Sequence, residues 1–477
     1  MINKIVKYFN NIIPMSKSFI KENNIKTNIR NSKISLNDAV YYKSKYVFSD
    51  ITDTFQSITA NINYDKIETN KKSKIFTRTG IYKNEAKLPV EFYKNIFEKT
   101  KVFFYKNFNL KCSFIAIDGV YYNTNFLHNG TAETSMSLGL FDINNSTPID
   151  IHFTGIGKKN NECLSLEKYI SENLSKFKNK IIICDRAYHC YRFFNFLDNN
   201  NIKFIIRLRH KENLKKPTKY AKHYDDYNNI VTNKNIRIIK RTDNIKKLAV
   251  ENNDTVKQII SDSTIKIISN LNIKEFSDDN IFNLYKNRWT IEEFYKQLKH
   301  NFKFQIMKEY NDKSYLKNIY LKLTFLLLKN ILIETYKSEN NNKIKKTIIN
   351  KNKNEQLDVK IKFNENIILK GIKDILLKDI FYEKLSSYKI LNFMTNYFKL
   401  YSNKVNRSFE RKSKIPFTKW YVKKYHDVFK AKSKDLTILI KITDNDEVKN
   451  KLKLEIKTMN KNLNKLKKNL KEKVVGA

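Results

Sequence analysis

Apolar residues recur along the chain with two different spacings, and the change between them divides it. From Ser35 to about Phe108 the spacing is helical. Within that stretch Leu88-Pro89-Val90-Glu91 predicts a helix start with proline near its first turn, and Phe92, Tyr93, Ile96, Phe97 and Phe103 supply its buried side. The first 30 residues are basic and Asn-rich, reading as a mobile arm or a loosely packed helix. From Phe114 the texture becomes one of short apolar runs. Phe114-Ile115-Ala116-Ile117 predicts a strand ending at Asp118-Gly119. Met136 to Ile143 and Ile149 to Phe153 flank Asn144-Asn145 as a hairpin. Lys180-Ile181-Ile182-Ile183-Cys184 is a buried strand ending at Asp185, and Ile202 to Leu208 is another. Leu164 to Phe177 and Tyr188 to Leu197 read as helices. Three strands, helix, strand, helix, strand is a mixed α/β order.

Residues 209–276 break the rhythm, with a basic run from Arg209 to Tyr220 and strands at Ile236–Ile239 and Ile265–Ile268. A helix is then predicted from Ile291, because Thr290 followed by Glu293 fits a capping box. Ile291, Phe294, Tyr295, Leu298 and Phe302 share its apolar side, while Glu292, Tyr295, Lys296 and Lys299 share a flank beside it. By helix physics alone this is a surface helix with an acidic start and a Glu292–Lys296 pair. Tyr315 to Tyr336 reads as a long amphipathic helix. Lys337 to Asn354 is polar and of low complexity, a solvated linker or loop. Beyond Ile367 the chain is helical and basic. It ends in an a/d seam of Leu452, Ile456, Met459, Leu463, Leu466 and Leu470, either a helix packed on its own domain or a homodimer or DNA contact.

Composition adds a partner to this picture. The 477 residues carry 92 Lys+Arg against 48 Asp+Glu, a formal charge of +44, which points to a polyanion such as nucleic acid. Residues favoured by A+T-rich codons abound, but such codons also encode Glu and some Asp, so they do not fully account for the excess of bases. The four cysteines show no CxxC pairing and read as free thiols, not as zinc ligands or a disulfide frame. The most apolar segment, Leu321 to Ile333, is broken by Lys322 and Lys329 and is expected to be a core helix and not a membrane span. The N-terminus does not read as a secretory signal. The expected location is therefore intracellular and DNA-associated.

One string changes the reading of the helix at Ile291. Tyr285, Arg288, Glu292 and Lys299 reproduce the Y-x2-R-x3-E-x6-K signature, and the chain here resembles the DDE transposases of the insertion-sequence-four family. Trp289, Ile291, Phe294 and Leu298 share the likeness, as do Ile117-Asp118-Gly119 and Cys184-Asp185-Arg186-Ala187-Tyr188 upstream. The resemblance covers about residues 35–335. It implies a ribonuclease-H-like catalytic core, in two parts at 109–208 and 277–336, interrupted by a β-rich insertion at 209–276. A basic helical region at 1–108 then suits DNA-end binding, a linker spans 337–365, and a basic helical region at 366–477 suits dimerisation. Some relatives stack an extruded base on a tryptophan in the insertion. This chain has only Trp289 and Trp420, so Tyr220, Tyr224 or Tyr227 substitutes, or the step is absent.

The same resemblance assigns Asp118, Asp185 and Glu292 as catalytic metal ligands, although either aspartate alone reads as the start of a turn. Phosphodiester cleavage needs an activated oxygen nucleophile and a stabilised leaving oxygen, which two Mg2+ ions supply, with Mn2+ as the expected substitute. Hard cations take oxygen ligands, and three converging carboxylates without metal would repel one another. Tyr285, Arg288 and Lys299 carry over as DNA-binding contacts to the phosphate at the cleaved end. The expected activity is cleavage at terminal inverted repeats of double-stranded DNA and strand transfer into target DNA, by a homodimer in the DNA complex. A nuclease or resolvase without strand transfer, and a domesticated DNA-binding protein, are the alternatives.

Overall fold

The alternation of side chains along each strand explains how the layers form. In a computed structural model, which describes residues 1–24, 34–48, 55–69, 76–128, 131–155, 161–208, 224–242, 264–302, 306–307, 312–339, 347–349, 356–358, 361–382, 384–398, 400–402, 446, 450, 453–454 and 456–458, seven strands form one mixed sheet. They are β1 (Phe114–His128), β2 (Thr131–Asp142), β3 (Thr147–Phe153), β4 (Ile181–Cys184), β5 (Lys203–Arg207), β6 (Arg237–Thr242) and β7 (Thr264–Ser269), in the order β3-β2-β1-β4-β5-β7-β6. β1, β2 and β3 are antiparallel, and β4 and β5 run parallel to β1. The run β3-β2-β1-β4-β5 is the ribonuclease-H-like arrangement expected from the sequence. A short β8 (Ile306–Met307) lies parallel to β1 at Asn123 and Thr124.

Successive side chains on a strand point to opposite faces. Ala116, Val120, Ile183, Ile205, Ile239 and Ile267 accordingly join one core. Ile115, Ile117, Ile182, Cys184, Phe204, Ile206 and Ile268 join the other. The second core is closed by α6 (Glu162–Glu172), α7 (Leu174–Phe177), α8 (Tyr191–Asn199) and α9 (Tyr224–Thr232), through Leu166, Tyr169, Phe177, Phe193, Leu197 and Ile230. The first is closed by α5 (Val90–Asn107), α10 (Asp278–Asn287), α11 (Thr290–Phe302) and α12 (Asp312–Glu339). Three layers result.

Several expectations change in three dimensions. The two described strands of the 209–276 segment pair onto the outer edge of β5, with β6 outermost. The basic run at 209–220, including Tyr220, lies outside the described residues, as does Trp420. Residues 2–22 form α1, with Ile5, Phe9, Ile12, Ile13, Ser16 and Ile20 buried, so of the two readings of this stretch, arm or helix, it is the helix that forms, and it is packed. α5 begins after Pro89, as predicted, but Phe104 and not Phe103 completes its buried side. α12 is not amphipathic. Its buried residues run almost unbroken from Tyr315 to Thr335, because α2 (Leu36–Phe48), α5 and α13 (Glu365–Gly371) cover the sides that the sheet does not. Within the predicted linker, Lys337–Glu339 prolongs α12, and the β-branched run Thr347–Ile349 pairs antiparallel with Gln356–Asp358.

Burying α12 brings its lysines inside. Lys317 lies 3.4 Å from Glu85, the acid near the end of α4 (Arg78–Ala86), and Lys43 of α2 lies 3.8 Å from the same carboxylate. Lys317 also donates to the Glu85 and Ala86 carbonyls at 3.2 Å, and Tyr93 donates to Glu85 at 3.3 Å. Burial holds the Lys317 ammonium below its usual range. Elsewhere Lys329 pairs with Glu365. No helix among the described residues is long and apolar enough to cross a membrane.

The chain divides into units 1–403 and 404–477. In the second, the described residues are helical and the Thr458 hydroxyl donates to the Leu454 carbonyl at 2.9 Å. Of the predicted a/d seam, Ile456 is the residue that falls among them.

The Glu85 cluster leads to a stability prediction. Glu85→Leu leaves two buried ammonium groups without their carboxylate and should cost about 3–5 kcal/mol in urea unfolding. A loss below about 1 kcal/mol would show that the cluster does not hold the N-terminal helices to α12.

Candidate active site

Register brings the two aspartates side by side. Ile117 and Cys184 are paired across β1 and β4, and both point into the core under α6. The residue after each of these turns to the opposite face, which puts Asp118 on β1 and Asp185 just past the end of β4 at adjacent positions, about 5 Å apart at the backbone. Asp118 does not end its strand, as the sequence pattern suggested. β1 continues to His128 as a hairpin arm of β2, and it is β4 that stops. Asp185 also begins a turn. One of its oxygens accepts from the Ala187 amide at 2.7 Å and caps the single 3-10 turn Arg186–Tyr188, leaving the second oxygen of the carboxylate for other partners.

α11 crosses the face onto which these aspartates project. Its predicted apolar residues, Ile291, Phe294, Tyr295, Leu298 and Phe302, are all buried. Tyr295 fixes the helix to the sheet, for its hydroxyl donates to the Asp118 carbonyl at 2.6 Å and accepts from the Gly139 amide at 3.0 Å. Asp118 and Gly139 are register partners on β1 and β2, so the bare glycine leaves room where a Cβ would come within 2.3 Å of the Tyr295 oxygen. The capping box does not form. Thr290 donates to the Asn287 carbonyl at 2.9 Å, and the first amides of α11 bond to the Arg288 and Trp289 carbonyls of the turn leaving α10. Glu293 pairs with Lys296 instead of capping, so the expected Glu292–Lys296 pair is replaced.

Glu292 instead meets Arg288, at 3.0 Å, and the same guanidinium reaches Asp118 at 3.8 Å. Arg288 is buried and stands between the two acids. Its charge lies within cation–π range of Tyr285 (5.8 Å) and Trp289 (5.9 Å). Burial acts against the guanidinium, yet Tyr285, Asp118 and Asp185 hold it above its ordinary range. Tyr285 is buried against this group, and Lys299 is half-buried two turns beyond Glu292 on the same helix face, with no ion pair among the described residues. Tyr227 is also buried, edge-on to Tyr191, and presents no ring for an extruded base.

Two groups escaped the sequence reading. Arg207 ends β5, and because Ile206 pairs with Cys184 it continues the row Asp118, Asp185 across the sheet, where with Arg288 its charge opposes the rise that burial gives the Tyr285 hydroxyl. A charged residue closing an apolar strand was the available signal. Glu162 opens α6 on the far face, and its carboxylate lies against Gly119. Nothing in its local spacing marks it.

The site is crowded with negative charge. Burial, then the charge of Asp185, lift the Asp118 carboxyl to about 7, with Glu162 adding to the rise and Arg288 opposing it. Carboxylate oxygens are the donors that a hard divalent ion takes. In this conformation Arg288 fills the space between Asp118 and Glu292. Among the described residues no three acidic, histidine or cysteine side chains are grouped tightly enough to hold an ion together. The four cysteines are free.

A pH prediction follows from Asp118. In the unfolded chain its carboxyl titrates near 3.8, and in the fold at about 7. The fold thus favours the neutral form, and stability present below pH 4 is lost as pH rises through about 7. Asp118→Asn should melt with wild type at pH 4 and a few degrees above it at pH 8, in chelator. Equal melting temperatures at pH 8 would refute the assignment.

Comparison with known proteins adds the family. No curated protein matches the chain. Residues 137–328 match the family model described as the transposase DDE domain, a stretch that runs from β2 into α12 and includes Asp185, α10 and α11, with Asp118 just before its start. The chain carries a transposase DDE domain.

Proposed function

We propose that this protein is a DNA transposase of the insertion-sequence-four type, which cuts at the terminal inverted repeats of its element and joins the freed 3′-hydroxyl to target DNA. Asp118, Asp185 and Glu292 would hold two Mg2+ ions, with Mn2+ able to substitute. When bound, such ions activate the attacking oxygen and stabilise the leaving one. The observation that carries this reading is the guanidinium of Arg288 lodged between Asp118 and Glu292 beside the in-register Asp185, acids gathered around a positive charge at one sheet edge.

The chain's own groups have definable work. Tyr295 holds α11 against β1 and so sets Glu292 opposite the aspartates. Asp185 is braced through one oxygen by the Ala187 amide, and its other oxygen would serve as the ligand. Arg288 offers a fork of N–H donors to the phosphate of the cleaved end, Lys299 a point charge, and Tyr285 a hydroxyl. The overall charge of +44 draws the DNA in and makes binding strongly salt-dependent. In this reading residues 1–108 contribute to DNA-end binding, and the 366–477 region to a homodimer on DNA.

The test is a supercoiled plasmid carrying the sequences that flank the coding region. Wild type with Mg2+ should yield cut ends and joined products, and Asp185→Asn neither, while both still shift the DNA in a gel. Cutting without joined products would favour a nuclease, and two equally inert proteins that still bind would end the enzyme reading.

A further inference from the structure

Two of the four free thiols meet in the layer opposite α11, where α6 and α8 pack on the sheet. Cys163 is the second residue of α6, its amide donating to the Asn161 cap at 2.9 Å. Cys190 is the residue from which α8 starts, and its carbonyl accepts the first bond of that helix, from the Phe194 amide at 3.1 Å. An ion pair joins the two helices at this point. Arg192, two residues past Cys190, donates at 2.6 Å to Glu167, which lies one turn along α6 from Cys163. The two thiols are thereby brought against each other, Cys163 buried and Cys190 half-buried.

Their positions make the two sulfurs unequal. The start of a helix presents amides without intrahelical partners and favours negative charge. The Cys163 thiol first, then the amides of Phe193 and Arg192 and the charge of Arg192, bring the Cys190 thiol down to about 5, against the effect of burial. Cys190, and then burial, raise Cys163 far above the usual thiol range. At neutral pH Cys190 is therefore the thiolate and Cys163 its proton-bearing neighbour. The other two cysteines are held as thiols. Cys184 is wholly buried on β4 and raised by that burial, and burial lifts Cys112 to about 12. Among the described residues no third histidine, cysteine or acid joins the pair closely enough for a metal site.

We propose that Cys163 and Cys190 are a reversible oxidation site for hydrogen peroxide, with Cys190 as the attacking sulfur and Cys163 as the resolving one. In the first step the Cys190 thiolate attacks one peroxide oxygen, the O–O bond breaks, and the departing hydroxide takes up a proton to become water. The sulfur, now a sulfenic acid, has lost two electrons to the peroxide. In the second step the Cys163 sulfur attacks that sulfenic sulfur. The S–S bond forms, the S–OH bond breaks, and the Cys163 proton leaves with the hydroxyl as water. Consuming the thiolate in the first step removes the neighbour that held this proton in place. A small dithiol reopens the bond by exchange. None of this chemistry requires the transposase activity.

The experiment uses the full chain, reduced and with a chelator present, and hydrogen peroxide as the probe, read by peptide mass spectrometry. Wild type should give a linked Cys163–Cys190 peptide pair, lighter by two hydrogen atoms and separated again by dithiothreitol. The link should form about 10-fold or more faster than Cys112 is oxidised, since the thiolate is the reacting form. In Cys163→Ser the sulfenic acid has no resolving partner, so dimedone should label Cys190, and Cys190→Ser should form no link. In urea the preference for Cys190 should disappear. Oxidation of Cys112 ahead of Cys190 in the folded wild type, or of Cys190 without a link to Cys163, would overturn the proposal. So would a folded chain that resists a dose sufficient to oxidise the urea-unfolded one. All three are read on wild type, which decides alone if a serine variant does not fold.

Discussion

Like charges gathered at one edge of a sheet must be compensated, and the site is built around that constraint. Asp118 and Asp185 are neighbours because their strands pair in register, and Glu162 comes against the same edge from the other layer. Repulsion and burial together lift Asp118 far from the ordinary carboxylate range. Arg288 supplies the counter-charge, held by Asp118 on one side and Glu292 on the other. In the proposed function the same residue would also offer its fork to a DNA phosphate, so both roles would draw on a single side chain.

Holding such a cluster requires rigid walls, and the packing provides them. α11 is tied to β1 and β2 through one hydroxyl, with Gly139 bare beneath it. Behind it α12 is enclosed on all sides, so the N-terminal helices and those after residue 361 brace the domain from outside. The lysines that this enclosure buries are matched where they sit, Lys317 by Glu85 and Lys329 by Glu365. Buried pairs of this kind contribute little net stability, but removing one partner is costly. The outer helices are thereby coupled to the core that carries the chemistry.

Much of this was legible in the residues. Short β-rich runs, the hairpin at Asn144-Asn145, the apolar stripe of α11 and the spacing from Tyr285 to Lys299 are local patterns set by the periods of strand and helix. They were sufficient to indicate the ribonuclease-H-like order and to single out Asp118, Asp185 and Glu292. Tertiary contacts decided the rest. A capping box was written in Thr290 and Glu293, but the turn leaving α10 already satisfied those amides. Asp118 looked like a strand terminus, and only pairing with β2 carries β1 onward. Glu162, Arg207 and the Tyr295–Gly139 contact depend on register and on which face each residue takes, between segments far apart in the chain. Spacing along one segment determines what that segment can form, whereas the partner of a side chain across layers is chosen by strand register and packing, which no local pattern encodes.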